Sequence, residues 1–545
     1  MKKWILLNNT KIKKIDEIID ILLENRGVKT KKEKEKFLNP SLNDLKINLT
    51  GIDRSELFKA YQRIKKAIKN QESIVVYTDY DVDGICAGAI VWETIYKIYK
   101  KIMPYVPDRK KEGYGFSKIG LDYIKKEYNA SLVIAVDHGI SSIKEINYAK
   151  KIGIDSIIID HHVPSSKLPE PFSLVHTTKL SAGGIAWFFS QYLNSKLTYS
   201  SSSFENLDLA ALATIADLTP LIGLSRVIVK YGLIELNRTK RLGLSVLIKE
   251  SGLKKGQIGV YEVGHILAPR INAAGRIDHA LDALRLICTN NIKKANLLAK
   301  RLNTINRERQ ILTSDSTLLA SELVKRKKIG KLIMVEHESF NEGIIGLIAG
   351  KLVEEFYRPA IVISLGKEYS KASARSINGF NIVETIRKTS SLLMNVGGHP
   401  MAAGFTVATK NLKLLSEKLN SIVEGELDEK KLEKIIKIDL EINLSTLSQK
   451  FYDFLEKLSP FGVGNSVPVF ASRKVKVINV SFLGKDNKHL KLVFDNKIKA
   501  IGFGMGEIFY KLSPGSFVDI AYILELNKWN DQTSLQLVLK DVKIG

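Results

Sequence analysis

Short runs of β-branched and other apolar residues mark the first half of the chain, at residues 73–77, 131–136 and 156–159. Between them, residues 85–99, 119–127 and 143–151 place apolar side chains at helical spacing. Strands alternating with helices predict βαβ units and a mostly parallel sheet. From 221 to about 328 the pattern is helical, and 280–328 suits one or two long connecting helices rich in Lys and Arg. A second α/β pattern follows: strands at 332–335, 360–364 and 371–376, a helix over 344–356, then a glycine-rich loop. The runs 475–483, 489–494, 498–503, 517–526 and 534–539 predict a small antiparallel barrel of the oligonucleotide-binding kind, with a small sandwich as the alternative.

The expected fold class is therefore α/β: two α/β domains joined by long helices, plus a C-terminal OB-type β-barrel. The expected boundaries are 1–70 for a charged N-terminal helical lead-in, 71–220 and 329–425 for the two α/β domains, 221–328 for the helical connector, and 426–545 for the barrel. A length of 545 residues fits three or four domains.

Composition narrows the function classes. Apolar residues make up 45% of the chain, as in a folded soluble protein. No apolar run reaches transmembrane length, and the apolar part of the first seven residues is too short for a signal peptide, so a cytoplasmic protein without a membrane partner is expected. Two cysteines, Cys86 and Cys288, fit a reducing compartment and exclude a disulfide framework or a Cys-rich zinc site. Lys and Arg outnumber Asp and Glu by 83 to 58, a net charge of +25, which points to a polyanionic partner. A lysine-rich coding bias accounts for many surface lysines, but not for arginines inside motifs.

The chemistry concentrates at the ends of apolar elements. Ile74-Val-Val-Tyr runs into Asp79, Asp81 and Asp83, followed by Gly84. In extended backbone those three carboxylates point one way, and like charges so placed call for a cation. Three more apolar segments end in Asp137, in Asp160-His161-His162, and in Asp217. Each alone is commonly a helix cap or an ordinary surface group. Together, in a parallel sheet, they share one edge. Carboxylate and imidazole without thiolate suit Mn²⁺ or Mg²⁺. Seven candidate ligands suit two ions, the arrangement that clamps both oxygens of a phosphoryl displacement. Asp160 is read as orienting an imidazole, and Cys86 as a small packing residue.

Asp79-Tyr-Asp-Val-Asp-Gly, Val136-Asp-His-Gly-Ile-Ser, Asp160-His-His and Ala216-Asp-Leu-Thr-Pro resemble the four motifs of the DHH phosphoesterases, in the version found in single-strand-specific 5′ exonucleases. Leu267-Ala-Pro-Arg-Ile-Asn-Ala-Ala-Gly-Arg276, the stretch 342–352, Ala372-Ser-Ala-Arg-Ser-Ile377, Gly397-Gly-His-Pro-Met-Ala-Ala-Gly404 and Ser459-Pro-Phe-Gly-Val-Gly-Asn465 extend the resemblance over roughly residues 70–540. It implies that Asp81 and Asp137 bind one ion and that Asp83, Asp137, His161 and Asp217 bind another. Asp79 would be a ligand or hold water, and His162 would face the scissile phosphate. His138 departs from the family pattern and would put an extra imidazole beside the bridging carboxylate, unless it points away.

The implied activity is 5′→3′ hydrolysis of single-stranded DNA to 5′-mononucleotides in repair and recombination, by a monomer working with a helicase and a single-strand-binding protein. Arg276, Ser373 and Arg375 would hold the 5′ phosphate, where Arg gives the better fork. Gly398 and His399 would lie in a glycine-rich loop offering N–H groups to phosphate. Arg109 and Tyr114 would meet the entering nucleotide, and Trp529 and Phe503 are candidates for base stacking on the barrel, with barrel core the favoured place for Phe503. A phosphoesterase for very short substrates is disfavoured by the barrel and the length. A non-catalytic scaffold is disfavoured by the complete ligand set.

Overall fold

In the computed structural model the described residues are 2–10, 15–109, 111–113, 115–197, 204–484, 486–529 and 532–544. The first α/β domain is built on a five-stranded parallel sheet ordered Ile102–Tyr105, Ser73–Thr78, Ala130–Val136, Asp155–Asp160, Ser173–His176. Its strands read as unbroken apolar runs because both faces are covered. On one face Ile74, Val76, Ile134, Val136 and Ile159 join a core with helices Val82–Tyr96, Ala182–Leu197 and Leu207–Ala216. On the other, Val75, Tyr77, Val133 and Ile158 pack with Leu121, Ile124 and Ile146 of helices Lys118–Tyr128 and Ile143–Lys151. The outer strands Ile102–Tyr105 and Ser173–His176 are additions to the sequence-based expectation. Each has only four residues, too few to show a period.

Helix Ile292–Lys325 has 34 residues and spans about 50 Å at 1.5 Å per residue. Ala295, Leu298 and Leu302 near its start belong to the first domain's core, whereas Ala320 and Val324 near its end belong to the second's. One rod thus carries both α/β domains. The second sheet runs Leu393–His399, Ala402–Ala408, Tyr369–Arg375, Ala360–Ser364, Ile333–His337, and only the last two strands pair in parallel. The expected glycine-rich loop is instead one arm of a hairpin, with Gly397 opposite Gly404 and His399 opposite Ala402. Backbone pairing with Ala402–Ala408 overrides the loop preference of two adjacent glycines.

The C-terminal strands Phe470–Leu483, His489–Phe494, Lys499–Gly502, Gln532–Ile544 and Phe517–Trp529 close on themselves through pairing of the first with the last. Phe470, Val477, Leu490, Leu492, Ile520, Tyr522 and Leu537 fill the interior. The barrel is not wholly antiparallel, because Lys499–Gly502 and Gln532–Ile544 run the same way.

The opening seventy residues depart from a helical lead-in. Lys3–Leu6 is a strand, paired in parallel with Ile435–Ile438. Ile18, Leu22 and Leu23 of helix Ile15–Asn25 enter the barrel-side core with Phe451 and Leu455. Helix Arg54–Lys69 packs Leu57, Ile64 and Ala67 onto the first sheet's core. Among the described residues, no helix is long and apolar enough to cross a membrane.

Candidate metal centre

The first sheet places Ser73–Thr78 between Ile102–Tyr105 and Ala130–Val136, so the strand order reverses beside it. Open α/β sheets bind ligands in the crevice at such a reversal, beyond the carboxyl ends of the strands. Asp79, Asp81 and Asp83 leave one strand there and Asp137 leaves its neighbour. Asp160, His161 and His162 leave the next strand. Asp217 comes from outside the sheet, at the C-terminus of helix Leu207–Ala216, which packs beside helix Val82–Tyr96.

The three opening carboxylates do not share one extended face as expected. Asp79 continues the strand, its N–H donating to Val136 O at 3.2 Å. Asp81 caps the following helix, its Oδ1 accepting from Gly84 N–H at 3.1 Å. Asp83 already lies in that helix's first turn and faces another element. Its two oxygens accept from the N–H groups of Gly183 at 2.7 Å and Ala182 at 2.9 Å, at the start of helix Ala182–Leu197. A helix N-terminus stabilises a carboxylate, so these groups aim Asp83. Glycine is needed where the packing is closest: a Cβ on Gly84 would lie 2.7 Å from Asp79 Cβ, and one on Gly183 2.3 Å from Ala213 Cβ. Asp137 adopts a left-handed backbone (φ 68°), unusual outside glycine, which turns it out of the strand end.

Ligand atoms lie within 4.8 Å of one another in three groups: Asp79, Asp81 and Asp137; Asp83, His161 and Asp217; and Asp137, His161 and His162. His161 Nε2 is 3.3 Å from Asp137 Oδ1 and 3.7 Å from Asp83 Oδ2, and its Nδ1 is 3.8 Å from Asp217 Oδ2. Burial, reinforced by neighbouring carboxylates, pushes Asp79, Asp83 and Asp137 well above the usual carboxylate range. Burial also raises Asp217 and lowers His161. Asp79 Oδ1 is buried with no hydrogen-bond partner among the described residues. The donor set, the spacing and the destabilised anions fit divalent cations with oxygen and imidazole ligands.

Asp160 and His162 form a separate pair. Asp160 Oδ1 accepts from His162 Nδ1 at 2.8 Å and from the N–H groups of His161 and His162, while Oδ2 accepts from Ile140 N–H. Burial opposes its ionisation, yet these bonds hold its carboxyl below the usual range. His162 is likewise penalised by burial, but the bond and charge of Asp160 raise it to about 8. His138 points away from the centre. Its Nε2 donates to Tyr77 O at 3.0 Å, its ring meets Tyr77 and Phe116 edge-on, and burial pushes it down to about 4. Cys86 is fully buried in the core, and burial raises its thiol.

The second domain supplies the opposite wall. His399 stands against His162, with ring centroids 6.2 Å apart. Gly398 reaches the same edge in a backbone (φ 140°) where a Cβ would strike Ala402 O at 2.2 Å. Arg109, Arg276, Ser373 and Arg375 gather elsewhere, in a cavity of about 760 Å³ floored by Gly343 and Gly346. Arg375 Nη1 donates to Ser373 Oγ at 3.2 Å, as their shared strand face leads one to expect. Burial, then the charges of Arg109, Arg309 and Arg375, lower Arg276 to about 10. Burial also lowers Arg375. Arg109 lies 5.3 Å from the Tyr80 ring. Tyr114 lies outside the described residues, as does the side chain of Trp529. Phe503 is 59% exposed and lies outside the barrel core, contrary to the expectation that it packs inside.

Three supporting features escaped the motif reading. One is the Ala182–Gly183 anchor for Asp83, signalled only by small residues at a helix start. The second is Glu112, which accepts from Tyr77, Tyr105, Ser117 and the Asp108 N–H, and so pins the loop carrying Arg109. The third is Arg309, which adds its charge to the arginine group from the connecting helix.

A reversed parallel sheet with this ligand set, a second α/β domain facing it and a closed barrel define a DHH-type phosphoesterase architecture. Family models agree: residues 73–214 match the DHH family N-terminal domain, 328–425 the DHHA1 domain and 438–541 the RecJ OB domain. The chain is 35% identical to the single-stranded-DNA-specific exonuclease RecJ of Bacillus subtilis, over 97% of this chain and 68% of that one. It is 25% identical to RecJ of Escherichia coli over 99% and 100% of the two chains. A crystal structure of exonuclease RecJ bound to manganese is 28% identical, with a TM-score of 0.59 over 68% of this chain and 94% of that one. Thermus thermophilus RecJ in complex with Mn²⁺, at 24% identity, shares the fold with a TM-score of 0.85 over 100% of this chain and 80% of that one. This chain belongs to the RecJ family of exonucleases.

Proposed function

We propose that this protein hydrolyses single-stranded DNA from its 5′ end, releasing 5′-mononucleotides, in DNA repair and recombination. The observation that carries the reading is the cluster of adjoining carboxylate and imidazole ligand groups, together with a separate cavity where Arg109, Arg276 and Arg375 gather with Ser373. Asp81 and Asp137, with Asp79 in reach, would hold one Mn²⁺ or Mg²⁺. Asp83, Asp137, His161 and Asp217 would hold the second. Divalent ions there would supply Lewis-acid chemistry, an acidified water and charge to offset the phosphoryl oxygens. The manganese in the related crystal structure supports this choice of ion.

The chain's own groups do the rest. Asp160 accepts from His162 Nδ1 and so orients the ring for the scissile phosphate. His399 completes that wall from the other domain. Arg276, Ser373 and Arg375 hold the 5′ phosphate and thereby register the strand from its end. Arg109, Tyr114 and the backbone at Gly398 contact the first nucleotides. Exposed Phe503 and Tyr510 on the barrel give bases a stacking surface. The narrow passage between the two α/β domains favours one strand over two. Single strands would come from a helicase or a single-strand-binding protein, with the enzyme acting as a cytoplasmic monomer.

The direct test is Asp137→Ala, assayed with Mn²⁺ on single-stranded and duplex substrates. Loss of hydrolysis with single-strand binding retained is expected. Retained hydrolysis would overturn the reading.

A further inference from the structure

Asp217 is held from behind by the C-terminal part of the chain. Its loop leaves helix Leu207–Ala216 with Leu218 in a left-handed conformation (φ 60°). Thr219 Oγ1 donates to Asp217 Oδ2 at 2.7 Å, and Thr219 N–H returns to Thr214 O. Past Thr219 the loop rests on the distant turn 459–465. Leu221 N–H donates to Val463 O at 2.7 Å. A Cβ on Gly462 would lie 2.6 Å from Leu221 Cδ1, and one on Gly464, itself at φ 75°, 3.0 Å from Pro220 Cβ.

The turn is rigid in its own right. Gly462 and Asn465 exchange backbone hydrogen bonds, and the buried Asn465 side chain donates to Leu458 O and Pro460 O at 2.8 and 2.9 Å. Two arginines fasten it. Arg26 Nε donates to Asn465 Oδ1 at 2.9 Å and its Nη2 to Ser466 O at 2.7 Å. Arg226, on the helix that follows the Asp217 loop, is 2% exposed; it donates to Ser459 O at 2.7 Å, Pro460 O at 3.3 Å and Phe37 O at 3.1 Å, and lies over the Phe37 ring.

We propose that turn 459–465 is a positioning element for Asp217, so that the C-terminal region sets the affinity of the cation site formed by Asp83, His161 and Asp217. The inference rests on reading that group as a cation site. Asp217 lies beyond its helix and is 26% exposed, so the helix alone does not lock its carboxylate. The bond from Thr219 does, and the turn fixes the segment that carries Thr219. Groups that orient a ligand from outside the coordination shell govern metal affinity in this way.

The test is calorimetric titration of Mn²⁺ into the full chain and its Gly464→Ala and Gly462→Ala variants, with oligonucleotide binding and melting in chelator measured alongside. Wild type binds two ions. The variants bind one ion as wild type does and the other roughly 10-fold more weakly or worse, with single-strand affinity unchanged. Variants that melt lower but bind both ions normally would make the turn merely structural and overturn the proposal, leaving the centre intact. Wild type that binds no ion would overturn the reading of the centre as well. Should the glycine variants fail to fold, Arg226→Lys, which keeps the charge and loses the fork, gives the same decision: one weakened ion supports the proposal, and two normal ions overturn it.

Discussion

His162 and His399 face each other with ring centroids 6.2 Å apart and planes inclined by only 16°. One ring stands at a strand end of the first sheet and the other on a hairpin of the second. This contact brings the two α/β domains together beside the centre. It also separates two kinds of imidazole: His161 lies at ligand distance from the carboxylates, whereas His399 does not.

His399→Ala should therefore act on turnover and not on metal binding. A positioned imidazole at a phosphoryl centre contributes roughly 10²-fold or more, so kcat should fall by about that factor. Mn²⁺ titration should give the wild-type curve. A weakened Mn²⁺ site in this variant would contradict the placement of His399 on the substrate side.

Arg375 belongs to a group of cations with no carboxylate among their described salt bridges. A charge-assisted hydrogen bond contributes about 1.5–3 kcal/mol, so Arg375→Gln should raise KM on 5′-phosphorylated strands by roughly 10- to 100-fold. The effect on 5′-hydroxyl strands should be small. The variant should melt no lower than wild type, because a like charge leaves the cluster. Equal losses on both substrates would mean that the cavity does not read the terminal phosphate.

The strand ends and their carboxylates were legible from sequence because apolar runs stop abruptly at Asp79, Asp137 and Asp160. The switch from period two to helical spacing at Val82 leaves no mark in the alternating carboxylates, and so neither does the direction of Asp83. What turns Asp83 is a pair of N–H groups at Ala182 and Gly183, and a pairing so remote leaves no local signature. The same holds for Lys3–Leu6, whose partner strand lies near the other end of the chain. His399 stands out by its motif, but its strand reads as a loop because two glycines dominate local propensity while hairpin pairing decides the fold. The stretch 459–465 stands out as a motif, but its grip on the Asp217 loop consists of glycine contacts and carbonyl acceptors, and nothing in the local sequence shows which distant loop it holds.

His162 gives a pH signature in the metal-free protein. Its pKa is raised to about 8 in the fold from an ordinary 6.5. The stability this supplies, on the order of 1–2 kcal/mol, is therefore fully present below pH 6.5 and lost as pH rises through 8. The melting-temperature gap between wild type and His162→Gln should narrow over that interval. In an NMR titration of wild type the His162 ring should have its midpoint near 8, and Asp160→Asn should move it down, since the bond and charge of Asp160 are the chief effects opposing burial. A midpoint that stays put would mean that Asp160 does not set it.

A two-ion centre fed from a terminal-phosphate pocket cuts from the 5′ end, and polarity tests it most directly. Single-stranded oligonucleotides labelled at either the 5′ or the 3′ end are incubated with the full chain and Mn²⁺. Immediate release of the 5′ label as a mononucleotide, with the 3′ label persisting in progressively shorter strands, is the expected result. Early release of the 3′ label, or internal cleavage of both substrates, would contradict it.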